Sequence, residues 1–218
     1  VHSMTKFSGG ASDHIAGAIC ADKDFILQLM DLHTGALMLL GPTMDPQVAC
    51  TLNLRIAHLP LRMAEHGRRA LLFAERLRDL GLVVSYPGLP EHPDHKMMRE
   101  LYCSDYGFGG ILTLDMGCEE LANQLMDMLQ NDYRFGYMAV SLGYFDTLMS
   151  CSGSTTSSEM TEEDKAAAHI SPGLVRMSIG FTGSTEQRWR QLCSALERLG
   201  VMKAGARPGP KDRRRRVS

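Results

Sequence analysis

Val1-His2-Ser3-Met4-Thr5-Lys6-Phe7-Ser8-Gly9-Gly10-Ala11-Ser12-Asp13-His14-Ile15-Ala16-Gly17 opens the chain and sets one lysine among small hydroxyl residues and glycines. A lysine amine can attack a carbonyl and hold it covalently. Ser3 and Thr5 add hydroxyl donors on either side of Met4, and Gly9, Gly10 and Gly17 allow the backbone to turn sharply or to approach a ligand closely. On composition alone, such a lysine reads first as a solvated loop residue. Beyond it, Ala16-Gly17-Ala18-Ile19-Cys20 is short and apolar like a buried strand, and a helix is expected around residues 24–32.

Further motifs follow in order: Ala139-Val140-Ser141-Leu142-Gly143, then Ile170-Ser171-Pro172-Gly173-Leu174-Val175-Arg176-Met177-Ser178-Ile179-Gly180. Together with the lysine segment they resemble the Cys/Met-metabolism family of pyridoxal-phosphate enzymes. Gly41-Pro42-Thr43-Met44, Tyr86-Pro87-Gly88-Leu89, Phe135-Gly136-Tyr137-Met138, Leu148-Met149-Ser150-Cys151-Ser152-Gly153-Ser154 and Glu186-Gln187-Arg188-Trp189 are similar to its plant and algal methionine gamma-lyase branch. Ser152-Gly153-Ser154-Thr155-Thr156-Ser157 stands where many bacterial relatives carry a Pro-Ala-x-x-Thr-His run.

The resemblance implies an α/β chain, the C-terminal part of a type I pyridoxal-phosphate-dependent transferase fold of aspartate aminotransferase kind, with a small α+β domain. It implies pyridoxal 5'-phosphate as cofactor, with Lys6 as the catalytic lysine and Ser3 and Thr5 beside it at the phosphate. It also implies an amino-acid substrate whose carboxylate is held by Arg176 and Ser141. The expected reaction is gamma-elimination of methionine to methanethiol, 2-oxobutanoate and ammonia. The alternatives are a cystathionine lyase or synthase, a homoserine sulfhydrylase, or a non-catalytic fragment that assembles with a complete subunit. A cytoplasmic homotetramer is implied as well. In the family the region upstream of the lysine carries the phosphate loop, the stacking aromatic, the aspartate for the ring nitrogen and a tyrosine lent by a neighbour. The start at Val1 leads us to expect the C-terminal part of a longer protein.

Arg176 suits its implied role chemically, because a guanidinium forms two parallel hydrogen bonds to a carboxylate. Without the resemblance, a structural salt bridge is the simpler reading. Asp146, where relatives often carry glutamate, is a weaker pocket candidate, and Arg62 reads as structural.

With 44% hydrophobic and 22% charged residues and a net charge of −2, the chain is globular and carries no bulk signature of nucleic-acid or acidic-membrane binding. No apolar stretch approaches a membrane span. The six cysteines contain no C-x-x-C pair, so neither zinc site nor disulfide framework is indicated. Glu91-His92-Pro93-Asp94-His95 reads as a turn rather than a metal site. The fifteen methionines read as dispersed core filling.

Residues 1–60 are expected to be a remnant of a large cofactor-binding domain with its linking helix, residues 61–205 a small α+β domain, and residues 206–218 a disordered basic tail that carries Arg213–Arg216. A helical pattern runs from Asp45 to Leu82, broken at Pro60 and stopped at Gly81. Strands are expected at 82–86, 110–116, 138–141 and 175–180, a helix at 119–130, and a last helix from a capping box at Ser184-Thr185-Glu186-Gln187 to Leu199.

Overall fold

The computed structural model describes residues 1–151, 160–168 and 170–202. The Ser152–Ser157 run and the basic tail lie outside the described residues. The chain divides into two compact units, Val1–Pro60 and Leu61–Ser218.

The first unit contains β1 (His2–Ser3), a π-helical turn (Met4–Ser8), β2 (Gly17–Ala18), α1 (Lys23–Leu29), α2 (Ala36–Leu40) and α3 (Pro46–Ile56). The strand expected over Ala16–Cys20 shrinks to two residues, paired antiparallel with His2 and Ser3. β1 offers only those two residues to pair with. The Asp22 carboxylate accepts from Phe25 N at 2.9 Å to cap α1, and Asp45 caps α3 by accepting from Gln47 N and Val48 N. Leu52 is the one buried hydrophobic residue of this unit.

The second unit begins within α4 (Leu59–Asp79). The helical pattern breaks at Ala57-His58 rather than at Pro60, and Pro60 lies in the first turn of α4. There its missing N–H removes no intrahelical bond. Gly81, at φ +79°, stops the helix as its position predicts.

Beyond α4 come β3 (Val83–Ser85), α5 (His95–Leu101), β4 (Ile111–Asp115), α6 (Glu119–Asn131), β5 (Gly136–Met138), β6 (Thr147–Cys151), α7 (Glu162–Ala167), β7 (Leu174–Ser178) and α8 (Thr185–Arg198). The five strands form one sheet in the order β3-β4-β7-β6-β5, with β5 and β6 parallel and the other pairs antiparallel. One face carries Leu112, Leu114, Met149, Val175 and Met177 into the core, together with Phe73 and Leu77 of α4, Leu125 and Leu129 of α6, and Trp189 and Leu192 of α8. Met116, Met126, Met149, Met177 and Met202 are buried, whereas Met30, Met38, Met44, Met97 and Met138 are exposed, so core filling accounts for only part of the methionines. α8 starts at the expected cap, where Ser184 Oγ accepts from Gln187 N. The Glu186 carboxylate takes both Nη atoms of Arg76, whose guanidinium lies over the Trp189 ring.

The opposite face of the sheet is polar at its centre. Register sets Arg176 of β7 between Thr113 of β4 and Ser150 of β6.

Candidate active site

Lys6 interrupts the Met4–Ser8 turn: at φ −88° and ψ −128° its backbone leaves the helical region. The turn is closed around it by Gly9 N to Met4 O at 2.9 Å and Gly10 N to Lys6 O at 2.8 Å. Gly10 adopts φ +77°, which a residue with a Cβ rarely does. Gly9 serves packing rather than ligand approach, because an added Cβ would lie 2.7 Å from His14 Nε2 and 2.8 Å from Met4 O.

The Thr5 hydroxyl donates to Ala16 O at 3.3 Å and accepts from Ala16 N at 3.0 Å, so it ties the lysine turn to the returning strand. Ser3 is exposed and Lys6 half-buried. Arg55 of α3 reaches back to this loop with Nη1 and Nη2 on the two Asp13 oxygens at 2.6 and 2.7 Å, and Nη1 also donates to Gly9 O at 3.3 Å. The Arg55 hydrogen bonds hold the Asp13 carboxyl far below the usual carboxylate range. Sequence reasoning missed this clasp, since the only signal was one acid in a glycine-rich loop and one arginine on a helix 42 residues later.

In the second unit, Arg176 Nη2 donates to the backbone carbonyl of Ser141 at 2.8 Å. The structure therefore brings together the two residues assigned to the substrate carboxylate. The loop after Ser141 is fixed in turn by Gly143 N donating to the buried Ser178 Oγ at 2.9 Å. Burial pushes the Arg176 guanidinium below its ordinary pKa, and its Nε is buried without a hydrogen-bond partner. Ser150 Oγ is buried and unpartnered in the same way. Sequence reasoning did not single out Ser150.

Asp146 accepts from the Thr182 hydroxyl and from Arg188 Nη2, a structural role. In the turn at 91–95, His95 Nδ1 donates to Pro87 O and His92 Nδ1 accepts from Asp94 N. Among the described residues no cluster of three or more His, Cys, Asp or Glu could hold a metal ion. Among them, too, no helix is long and apolar enough to cross a membrane.

The family model for Cys/Met metabolism PLP-dependent enzymes matches residues 1–187. The chain belongs to this family. A methionine gamma-lyase of Arabidopsis thaliana is 56% identical over 199 residues, covering 91% of this chain and 45% of the relative. An L-methionine gamma-lyase of Porphyromonas gingivalis is 34% identical, over 83% of this chain and 44% of that protein. A crystal structure of cystathionine gamma synthase from Xanthomonas oryzae pv. oryzae, in complex with aminoacrylate and cysteine, superposes with a TM-score of 0.80 at 32% identity. That match covers 92% of this chain and 50% of the solved one. Members of the Cys/Met metabolism family thus share the fold described above, and the chain spans about half the length of the relatives it matches.

Proposed function

We propose that this chain is the lysine-bearing, C-terminal portion of a pyridoxal-phosphate-dependent carbon–sulfur lyase that eliminates methanethiol from methionine. The observation that carries the reading is Arg176: a desolvated cation, anchored on Ser141 O, with a buried donor aimed at no acceptor among the described residues. A buried, unfilled hydrogen bond to a charged group is costly. A substrate carboxylate is the acceptor that removes that cost.

The residues of the lysine turn fit the cofactor. Lys6 offers an amine to its aldehyde, on a kinked turn with fixed backbone, and Ser3 offers an uncommitted hydroxyl to its phosphate; Thr5 shares its hydroxyl with Ala16. When bound, pyridoxal phosphate supplies an electron sink. Arg176 fixes the substrate carboxylate and so orients the bond to Cα. The Lys6 amine takes and returns protons at Cα and Cβ until the thiolate leaves Cγ. We read the first unit as part of a larger cofactor-binding domain, and the protein as a homotetramer. Exposed apolar side chains of that unit, among them Ile15, Leu32, Leu40 and Leu54, support this reading.

A second reading, transsulfuration through cystathionine, is favoured by the cystathionine synthases and lyases among the relatives and solved neighbours. The two separate in one assay. The longest form of the protein that carries this chain is supplied with methionine, cystathionine or an O-activated homoserine. Methanethiol in the headspace with methionine supports the lyase; turnover of cystathionine alone overturns it. Addition of pyridoxal phosphate is expected to give a visible absorbance band that borohydride removes and that Lys6→Ala lacks.

A further inference from the structure

Arg176 and Ser150 are direct cross-strand partners on β7 and β6. Such partners carry their Cβ atoms on one face, about 5 Å apart. Each holds a buried polar atom with no hydrogen-bond partner, Arg176 Nε and Ser150 Oγ. Two unfilled donors side by side in an interior are rare, because each costs the desolvation of a polar group. No described carboxylate pairs with Arg176, whose guanidinium is held only by the carbonyl of Ser141. Thr113, the partner of Arg176 on its other side, extends the polar row across three strands. The rest of β6 is buried and largely apolar, so a serine in its middle has no folding reason to be there.

We propose that Ser150 is a carboxylate-binding residue: its hydroxyl donates to one substrate carboxylate oxygen beside the Nε–H of Arg176. The proposal rests on the reading of Arg176 as the carboxylate anchor and extends it to the residue that follows the core-facing Met149 on β6 and so lies on the opposite face. A serine donor here sets how deep the carboxylate sits. Carboxylate and hydroxyl meet on the polar face of the sheet, so depth is fixed by β-sheet register rather than by a loop.

Trp189 is the only tryptophan, is buried in the second unit, and reports its unfolding. Urea unfolding of the chain is followed by its emission with L-norleucine, which has no leaving group, and with L-norleucinamide, which has no carboxylate. Norleucine is expected to raise the midpoint of the wild-type chain and the amide not to. Ser150→Ala is expected to leave the unliganded midpoint unchanged or raised, since the hydroxyl it removes has no partner, and to weaken the apparent norleucine affinity by about tenfold. Ser150→Thr, which keeps the hydroxyl, is expected to recover most of that affinity. A Ser150→Ala chain that binds norleucine as the wild type does, or that is destabilised without ligand, overturns the role of Ser150 alone. No carboxylate-dependent shift in the wild type, or an undiminished one in Arg176→Met, overturns the carboxylate anchor itself and this proposal with it.

Discussion

His66, on α4, is wholly buried, and its Nδ1–H donates to Ile179 O at 2.5 Å. Burial pushes its imidazole below the ordinary 6.5. The unfolded chain therefore binds the proton more readily than the fold does, and the stability this histidine contributes is present above pH 6.5 and lost as pH falls below it. The adjacent Glu65 acts in a lower window. Hydrogen bonds from Arg68, and then Arg69, hold its carboxyl at about 2 against an ordinary 4.5, so its contribution is lost between those values. Midpoints of urea unfolding, read from Trp189 emission across pH 7 to 3, are expected to fall in two stages. His66→Gln should remove the upper stage and Glu65→Gln flatten the lower; a His66→Gln profile that keeps the upper stage contradicts the assignment. At this scale the lysine and the arginine were singled out in the sequence by flanking motifs that resemble the family. Ser150 and the Asp13–Arg55 clasp were not, since each gains its meaning from a partner brought by register or by a helix that returns to the loop.

At the scale of elements, α4 carries a glycine at its middle where propensity alone favours alanine by about 1 kcal/mol. The reason is close approach: a Cβ on Gly67 would lie 2.6 Å from the carbonyl oxygen of Tyr106. Tyr86 hydroxyl donates to Gly109 O at 2.8 Å and holds the same loop against the helix. A backbone oxygen cannot swing aside as a side chain can, so overpacking, typically about 1–3 kcal/mol, outweighs propensity. Gly67→Ala is expected to lower stability by about 1 kcal/mol or more in urea unfolding. A stabilised Gly67→Ala variant would mean that the loop at Tyr106 yields freely. The amphipathic helices α4, α6 and α8 were legible through their 3.6-residue period and their caps. β6 was not: all five of its residues are buried, so it shows no alternation and reads in sequence only as part of a motif. β5 lies two residues before its expected place, and at its start Gly136 approaches Thr147 too closely for any side chain.

At the scale of the molecule, the two units differ sharply in what they bury. All the buried hydrophobic residues but Leu52 belong to the second unit. Sixty residues without a core of their own are marginally stable. Among the described residues, limited trypsin digestion followed by mass spectrometry is expected to cut first within the first unit, around the exposed Lys23, and to leave a second unit that keeps its Trp189 emission. Equal survival of both units would contradict this. The helix break expected at Pro60 falls at Ala57-His58 instead, and the sheet order was not legible, because nothing local in a sequence states which strands become neighbours.

That order has a consequence for synthesis on the ribosome. β7, the last strand made, is the middle strand of five, between β4 and β6. Until Ser178 has left the exit tunnel, β4 and β6 each wait with an unpaired edge, and α8, which covers the core, is not yet made. Nascent chains stalled before that point expose two sticky margins at once, and a chaperone that shields extended apolar segments would find its binding sites there.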